Sequence, residues 1–418
     1  LTGDRRSGSS PGCDAPVTLN RSLSLPWLVL YGLGTTIGAG IYALTGVVAG
    51  RAGMQAPACF LLASLLALPS ALSFAELSSR FPRAAGEATY VREGTGLEWL
   101  ATLVGLLAVL AGVISAATVC VGFVEYLVVL VPVPALPAVA GVALVIGAVT
   151  SWGVRESVTA AGLMTVIEIG GLLAIMAWGS GELRALPERL PEMIPNDSLS
   201  LLAVGSGALL AFYAFLGFED MVNVAEEVQD VRRVLPRAIV LTLVVTAMLY
   251  VVLAAIAVIV VPPAELATKG APLAHVFGQL GGPSGLLGVI ALFALLNGAL
   301  IQVIKSSRVL YGLACQGALP APLGRIHPRT RTPLLATALA TSAVVVLATT
   351  FPLEALAEAT SIVTLGIFAL ANLSLVLVKR RSPDAPGAVV YPMAVPIAGC
   401  VLSVGIVALE VARRIADG

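Results

Sequence analysis

Charge is what this 418-residue chain lacks: Asp, Glu, Lys and Arg make up 11% of it, against 58% hydrophobic residues. Soluble domains carry roughly 25% charged residues, so no soluble core accommodates this composition, and the chain reads as a polytopic, all-α membrane protein. The formal net charge is zero, and the charges fall mostly in short loops. That implies no acidic or basic partner and argues against nucleic acid. Histidine is nearly absent, with two in the chain, which leaves little for a metal site. No nucleophile–base–orienter set appears, so neither an enzyme nor a cofactor is expected. The five cysteines (13, 59, 120, 315 and 400) show no CxxC spacing, and four lie in apolar runs, so they read as structural thiols. The opening LTGDRRSGSSPGCDAP is polar and lacks the pattern of a signal peptide; residues 1–22 are expected to form a disordered tail.

What is present is a series of apolar runs long enough to cross a hydrocarbon core about 30 Å thick. Eleven are counted, at about 26–50, 56–78, 98–131, 136–152, 159–179, 200–223, 237–261, 284–315, 333–350, 353–378 and 390–412. The divisions at Pro132–Pro137 and near Pro352 rest on proline, which disfavours helix in the residue before it. With the N-terminus inside, 17 Lys and Arg fall on the cytoplasmic side and 6 on the other, with Lys305 within a span. This bias predicts a cytoplasmic N-terminus. Arg413 and Arg414 run against it, because an odd number of spans puts them outside.

Two runs are interrupted where a plain helix would be cheaper. The first is GTTIGAGIYAL, Gly34 to Leu44, with glycines at 34, 38 and 40. Each Gly inside a helix costs roughly 0.5–1 kcal/mol relative to Ala. Backbone freed in lipid costs several kcal/mol per unpaired group unless protein, water or a ligand satisfies it. The second is LLAFYAFLGFEDMVNVAEE, Leu209 to Glu227, where Gly217 precedes Glu219 and Asp220. Interrupted helices at matching places in two five-helix halves point to an inverted-repeat transporter. In such a fold half-helix N-termini face an anionic group and loose carbonyls a cationic one, and a zwitterionic amino acid has both.

Four motifs in order, GTTIGAGIYAL, FAELSSRFPRAAGEATYVREGTG, FYAFLGFEDMVNVAEEVQDVRRVLPRAI and SSRVLYGLACQGALP, resemble the amino acid–polyamine–organocation permeases, and the likeness covers roughly residues 20–380. The resemblance implies a leucine-transporter-like fold in which five-helix repeats at about 26–179 and 200–378 form a core spanning 23–380. Residues 381–418 then supply a loop and an additional terminal helix. Relatives usually have one span more than the eleven counted. The resemblance further implies that the amides of Gly38, Ala39, Gly40 and Ile41, with the Thr36 hydroxyl, receive a substrate α-carboxylate. Carbonyls around Tyr213, Ala214 and Leu216, beside Gly217, would receive the α-ammonium, and Phe215 or Tyr213 would gate. Helix packing through small residues is the competing reading of the glycines, although packing alone leaves the second break unexplained. The loop RFPRAAGEATYVREG is an inner gate by resemblance; packing and topology explain it equally well.

Ionisable groups at membrane depth are functional candidates by default. Glu168 falls in the middle of the fifth span, where many proton-coupled relatives carry a Lys, and Lys305 falls in the eighth. The expectation is a swapped Glu168–Lys305 pair, with Gln302 on the same side of the helix as Lys305. Glu168 then either carries a coupling proton or completes a structural ion pair. Glu219 either lines the path, answers a cationic substrate, or bonds amides freed at the break. Snorkelling accounts for Glu125; Glu226 and Glu227 read as a solvated cluster with Arg232 and Arg233; Asn297 and Asn372 suit interhelical hydrogen bonds. The segments AGVISAATV and EATSIVTLG, small and apolar or hydroxylated, favour neutral amino acids of modest size.

The function expected is therefore secondary transport of amino acids across the cytoplasmic membrane, by proton coupling or exchange. The rivals are a polyamine or organic-cation permease and an amino-acid receptor without net transport. Expected partners are the substrate, the bilayer and protons. No disulfide-linked subunit is expected, since the LVPVPALPAV loop has no cysteine of the kind that heteromeric relatives use.

Overall fold

The computed structural model describes residues 23–82, 86–152, 158–383 and 385–417, and the expected 1–22 tail lies outside them. The chain runs α1 (Leu25–Thr36), α2 (Ala39–Ala52), α3 (Ala56–Arg80), α4 (Gly86–Thr95), α5 (Glu98–Leu130), α6 (Ala135–Trp152) and α7 (Val158–Trp178). It continues through α8 (Leu186–Met193), α9 (Ser198–Tyr213), a 3-10 helix over Phe218–Glu227, α10 (Val231–Val260), α11 (Pro263–Leu266) and α12 (Pro272–Gln279). The remaining helices are α13 (Ser284–Cys315), α14 (Leu334–Thr350), α15 (Leu353–Arg381) and α16 (Ala394–Asp417). Proline sets the boundaries where expected: α5 stops at Leu130, and Pro352 caps α15 two residues after α14 ends.

Every apolar run contains helix. Among the described residues, nine stretches are long and apolar enough to cross a membrane. Two features separate nine from the eleven runs. The second half of the first run continues through a single 3-10 turn into the second run, so Gly40–Arg80 forms one stretch, and Leu334–Thr350 falls short in length. The protein is a multi-pass, all-α membrane protein.

All four tryptophans lie at or next to a helix end and are exposed: Trp27, Trp99, Trp152 and Trp178. An indole suits the boundary between headgroups and hydrocarbon. Exposed Leu and Val along α6, α9 and α16 form the lipid-facing surface. Inside, α5 lies along α13 and α3 along α10. An aromatic cluster of Phe74, Phe212, Phe218 and Phe368 joins α3, α9, the 3-10 helix and α15 with edge-on or tilted rings. Cys59, Cys120 and Cys400 are free thiols, as expected, whereas Cys315 is disulfide-bonded.

The end of the bundle where α1 begins is called the near face and the opposite end the far face. At the far face α2 is held by two devices. A Cβ on Gly46 would lie 2.7 Å from the Leu266 carbonyl oxygen and one on Gly50 2.6 Å from Ala267 Cβ, so the α10–α13 connection presses directly on α2. Arg51, at the end of α2, reaches α15, pairing with Glu358 at 2.6 Å and also with Glu354.

Candidate substrate site

The two breaks are built differently and meet. In the first, α1 ends at Thr36 because Ile37 is extended, and α2 restarts at Ala39 after Gly38. The first-turn amides of α2 have no carbonyl within their own helix, and its dipole adds partial positive charge at that end. In the second, α9 tightens into 3-10 turns, with Ala214 N–H donating to Ala211 O, Phe215 N–H to Phe212 O and Leu216 N–H to Tyr213 O. Gly217 then takes φ +125°, a conformation that suits glycine.

Glycine is required where the breaks touch. A Cβ on Gly40 would lie 2.2 Å from Ala214 Cα, and one on Gly217 would lie 2.3 Å from the Thr35 carbonyl oxygen. The Thr35 hydroxyl donates to the Gly217 carbonyl at 3.0 Å, and the Tyr250 hydroxyl donates to the Thr36 carbonyl at 3.1 Å. Gly38 is the contrast: a Cβ there would meet nothing within 4 Å. Gly38 faces a small cavity of about 40 Å³ whose walls include Thr36 and Gly40 from the first break, Tyr213 and Leu216 from the second, Ser115 from α5 and Gln302 from α13. Among the described residues, no charged side chain lines it.

The structure gives the surroundings of the residues between which the sequence left a choice. Tyr213 forms the cavity wall, with its hydroxyl 3.0 Å from Ser115 Oγ, while Phe215 is fully buried against the Tyr250 ring at 5.2 Å. Of the two gate candidates, only Tyr213 meets the cavity. Ile41 is fully buried. The Thr36 hydroxyl lines the cavity but donates to Gly32 O at 2.8 Å, which leaves its oxygen rather than its hydrogen for a ligand. The Tyr213 carbonyl already accepts from Leu216. The Glu219 carboxylate accepts from the Gly217 amide at 2.8 Å, which is the reading in which it bonds a freed amide.

The expected Glu168–Lys305 pair does not form. Lys305 pairs instead with Asp220, at the start of the 3-10 helix, and Gln302 donates to the same carboxylate at 3.5 Å. Glu168 accepts a long 3.5 Å bond from Asn297. The reason is one of level. Asn297 and Lys305 are eight residues apart on α13, about 12 Å at 1.5 Å per residue, so a group at the level of Asn297 is out of reach of Lys305. Asp220 was missed as a partner; its signal was its adjacency to Glu219 just after a glycine break. Asn372 bonds across helices to Ser70 at 2.9 Å, as expected. Glu125 is half-buried beside Gly270 rather than fully reaching solvent. Arg233 pairs at 4.0 Å with Asp230 and Arg232 donates to the Pro386 carbonyl, so neither joins Glu227 in the expected cluster; the Glu226 side chain lies outside the description.

A larger cavity of about 410 Å³ opens from the near face between α4, α5, α13 and the 3-10 helix, lined by Glu87, Arg92, Asp220 and Lys305 among others. Ile301 lines both this vestibule and the small cavity, so the two lie on either side of one residue. The loop read as an inner gate supplies part of its wall through α4. A hollow of about 420 Å³ at the far face, near Tyr126 and His275, includes none of the break residues.

Comparison with known proteins gives the same reading. Residues 23–413 match the amino acid permease family. The branched-chain amino acid permease BcaP of Bacillus subtilis is 29% identical over 400 residues, which cover 90% of this chain and 84% of that one. An uncharacterized transporter of Mycobacterium tuberculosis is 30% identical over 427 residues, covering 96% and 93%. The cationic amino acid transporter 3, mitochondrial, of Arabidopsis thaliana is 28% identical over 392 residues, covering 87% and 63%. With its two broken helices meeting at one cavity and this match across nearly its whole length, the chain belongs to the amino acid permease family.

Proposed function

We propose that the protein carries neutral amino acids of small to medium size across the cytoplasmic membrane by alternating access, through proton coupling or exchange. The α-carboxylate sits at Gly38, where the amides of Gly38, Ala39, Gly40 and Ile41 open the α2 half-helix. The α-ammonium faces carbonyls at the α9 break, with Ala214 and Leu216 as the donors of lone pairs. Tyr213 closes over the substrate, and its swing makes room for a side chain in a cavity that is small when closed. The Lys and Arg bias supports a cytoplasmic N-terminus and, with it, a cytoplasmic vestibule.

The observation that carries the substrate class is that, among the described residues, no charged side chain lines the small cavity. A cationic side chain entering it would lose its hydration without a counter-charge, which costs several kcal/mol. Glu219, which the sequence offered as the answer to a cationic substrate, is held by the Gly217 amide. BcaP, with its branched-chain substrates, agrees with this reading better than the cationic transporters do.

The test is uptake of labelled leucine into proteoliposomes with unlabelled competitors. Alanine, valine and isoleucine are expected to compete; arginine, lysine and cadaverine are not. Competition by cadaverine alone would favour the organic-cation permease. Saturable binding without uptake or exchange would favour the receptor.

A further inference from the structure

The vestibule at the near face holds charges that its own side chains leave unanswered. Its volume of about 410 Å³, against about 40 Å³ for the small cavity, falls within the roughly 300–1,000 Å³ of small-molecule sites. Among the described residues, three acids (Glu87, Asp220, Glu227) and three bases (Arg92, Lys305, Arg308) line it. Lys305 and Asp220 pair with each other. Arg92 is taken by Glu98 at 2.9 Å and by Gln316 at 3.0 Å. Glu227 is only partly buried, so water can reach it.

Two charges are left over. Glu87, in the first turn of α4, is 5% exposed, yet no other described residue hydrogen-bonds or pairs with its carboxylate. Its charged neighbours are Lys305 and Asp220, already committed to each other. Burying an ion without a partner costs several kcal/mol. Arg308 is exposed and, among the described residues, likewise has no hydrogen bond or ion pair. The two do not pair with each other. Lys305 and Arg308 are one turn apart on α13, about 4.5 Å at 1.5 Å per residue, with Arg308 nearer the helix end at the near face. The vestibule therefore offers a buried acid beside Lys305 and a base one turn closer to the mouth. On the same face of α13, at spacings of three and four residues, Ile301, Ile304, Val309 and Leu313 give it an apolar wall. Room remains at the outer end, where a Cβ on Gly312 would meet nothing within 4 Å.

We infer that the vestibule is a second amino-acid site, taking a neutral amino acid with its α-ammonium on Glu87, its α-carboxylate on Arg308 and its side chain on the apolar stripe of α13. This rests on the reading that the small cavity binds amino acids, and it places a second molecule one residue, Ile301, away. The chemistry selects the ligand. An inorganic anion would satisfy Arg308 but be repelled by Glu87, and a simple amine would leave the guanidinium unanswered. A metal ion would need several oxygen ligands, and no such group of side chains is found among the described residues. A zwitterion answers both charges and adds no net charge to a lining whose described acids and bases are equal in number. Its carboxylate can also take two parallel hydrogen bonds from the guanidinium.

The test counts bound leucine. Equilibrium dialysis of the purified full chain against labelled leucine, carried to saturation, is expected to give two molecules per wild-type protein. Glu87→Gln, which keeps the shape and removes the charge, is expected to give one, with the affinity of the remaining site unchanged. Arg308→Gln is expected to give one as well; it lies at an exposed position, where substitutions cost little stability, so it decides the matter should Glu87→Gln fail to fold. One leucine in wild type, retained in both variants, would overturn the inference and leave the small cavity as the site. Two leucines in wild type and in both variants would also overturn it, since the second would then lie elsewhere. One leucine in wild type, lost in both variants, would support the vestibule site and sink instead the reading of the breaks. No leucine bound by any of the three would overturn both.

Discussion

Gly38 and Gly40 stand two residues apart and answer to opposite demands. Gly40 is glycine because a neighbouring backbone leaves no room; Gly38 borders space that no protein atom fills. Gly40→Ala should therefore push the two breaks apart, lowering Tm and abolishing uptake. Gly38→Ala should fold with near wild-type Tm and yet bind substrate about tenfold more weakly, a loss of about 1.4 kcal/mol. Thermal denaturation beside saturation uptake separates the two. Equal damage by both substitutions would return Gly38 to the role of packing residue. Tyr213→Phe removes the bond to Ser115 and keeps the ring, so it should cost about 1 kcal/mol of stability while leaving the cavity gated. Tyr213→Ala should remove the gate and raise substrate leak.

At the scale of elements, the decisive contacts hold α2 to α15 at the far face and the 3-10 helix to α13 at the vestibule. Arg51→Gln should release the first. A cysteine introduced as Gly38→Cys is then expected to react with an impermeant thiol reagent from the far face, whereas with Arg51 intact it reacts from the near face alone. Lys305→Met, which leaves the buried Asp220 carboxylate without its partner, should cost about 3–5 kcal/mol, with much of the loss recovered when it is combined with Asp220→Asn. Outside the membrane, Asp197 caps α9 by accepting from the Ser200 amide at 2.6 Å, and this bonding lowers its pKa. A lowered folded-state pKa gives stability that is present above the ordinary Asp value, about 3.9, and is lost as pH falls below it. Asp197→Ala should thus lower Tm at neutral pH and flatten its acid dependence. The breaks themselves were legible in sequence because glycine within an apolar run has few other uses. Partner choice was not: Glu168 and Lys305 lie on neighbouring helices, but their levels along those helices depend on where each helix begins and tilts. Tyr213 and Phe215 could not be told apart because the tightening at the end of α9 turns two near neighbours in different directions.

At the scale of the molecule, one face is open and the other shut. The vestibule opens from the end where α1 begins and stops one residue, Ile301, short of the small cavity, while Arg51, Glu358 and the α10–α13 connection close the other. Composition and the runs of apolar residues foretold an all-helical membrane protein, and the exposed tryptophans at the helix ends agree with that. Which face is open was beyond the sequence, since it is a property of how rigid helices sit together and not of any one segment. The central claim is that backbone at two helix breaks holds the α-carboxylate and α-ammonium of an amino acid. The most direct measurement is competition against labelled leucine uptake by leucine analogues altered only at those groups. Leucinamide and isoamylamine, which lack the carboxylate, and isocaproate, which lacks the ammonium, are predicted to compete at least about a hundredfold less well than leucine, a loss of about 2.7 kcal/mol. Competition by any of them at the strength of leucine would contradict the account.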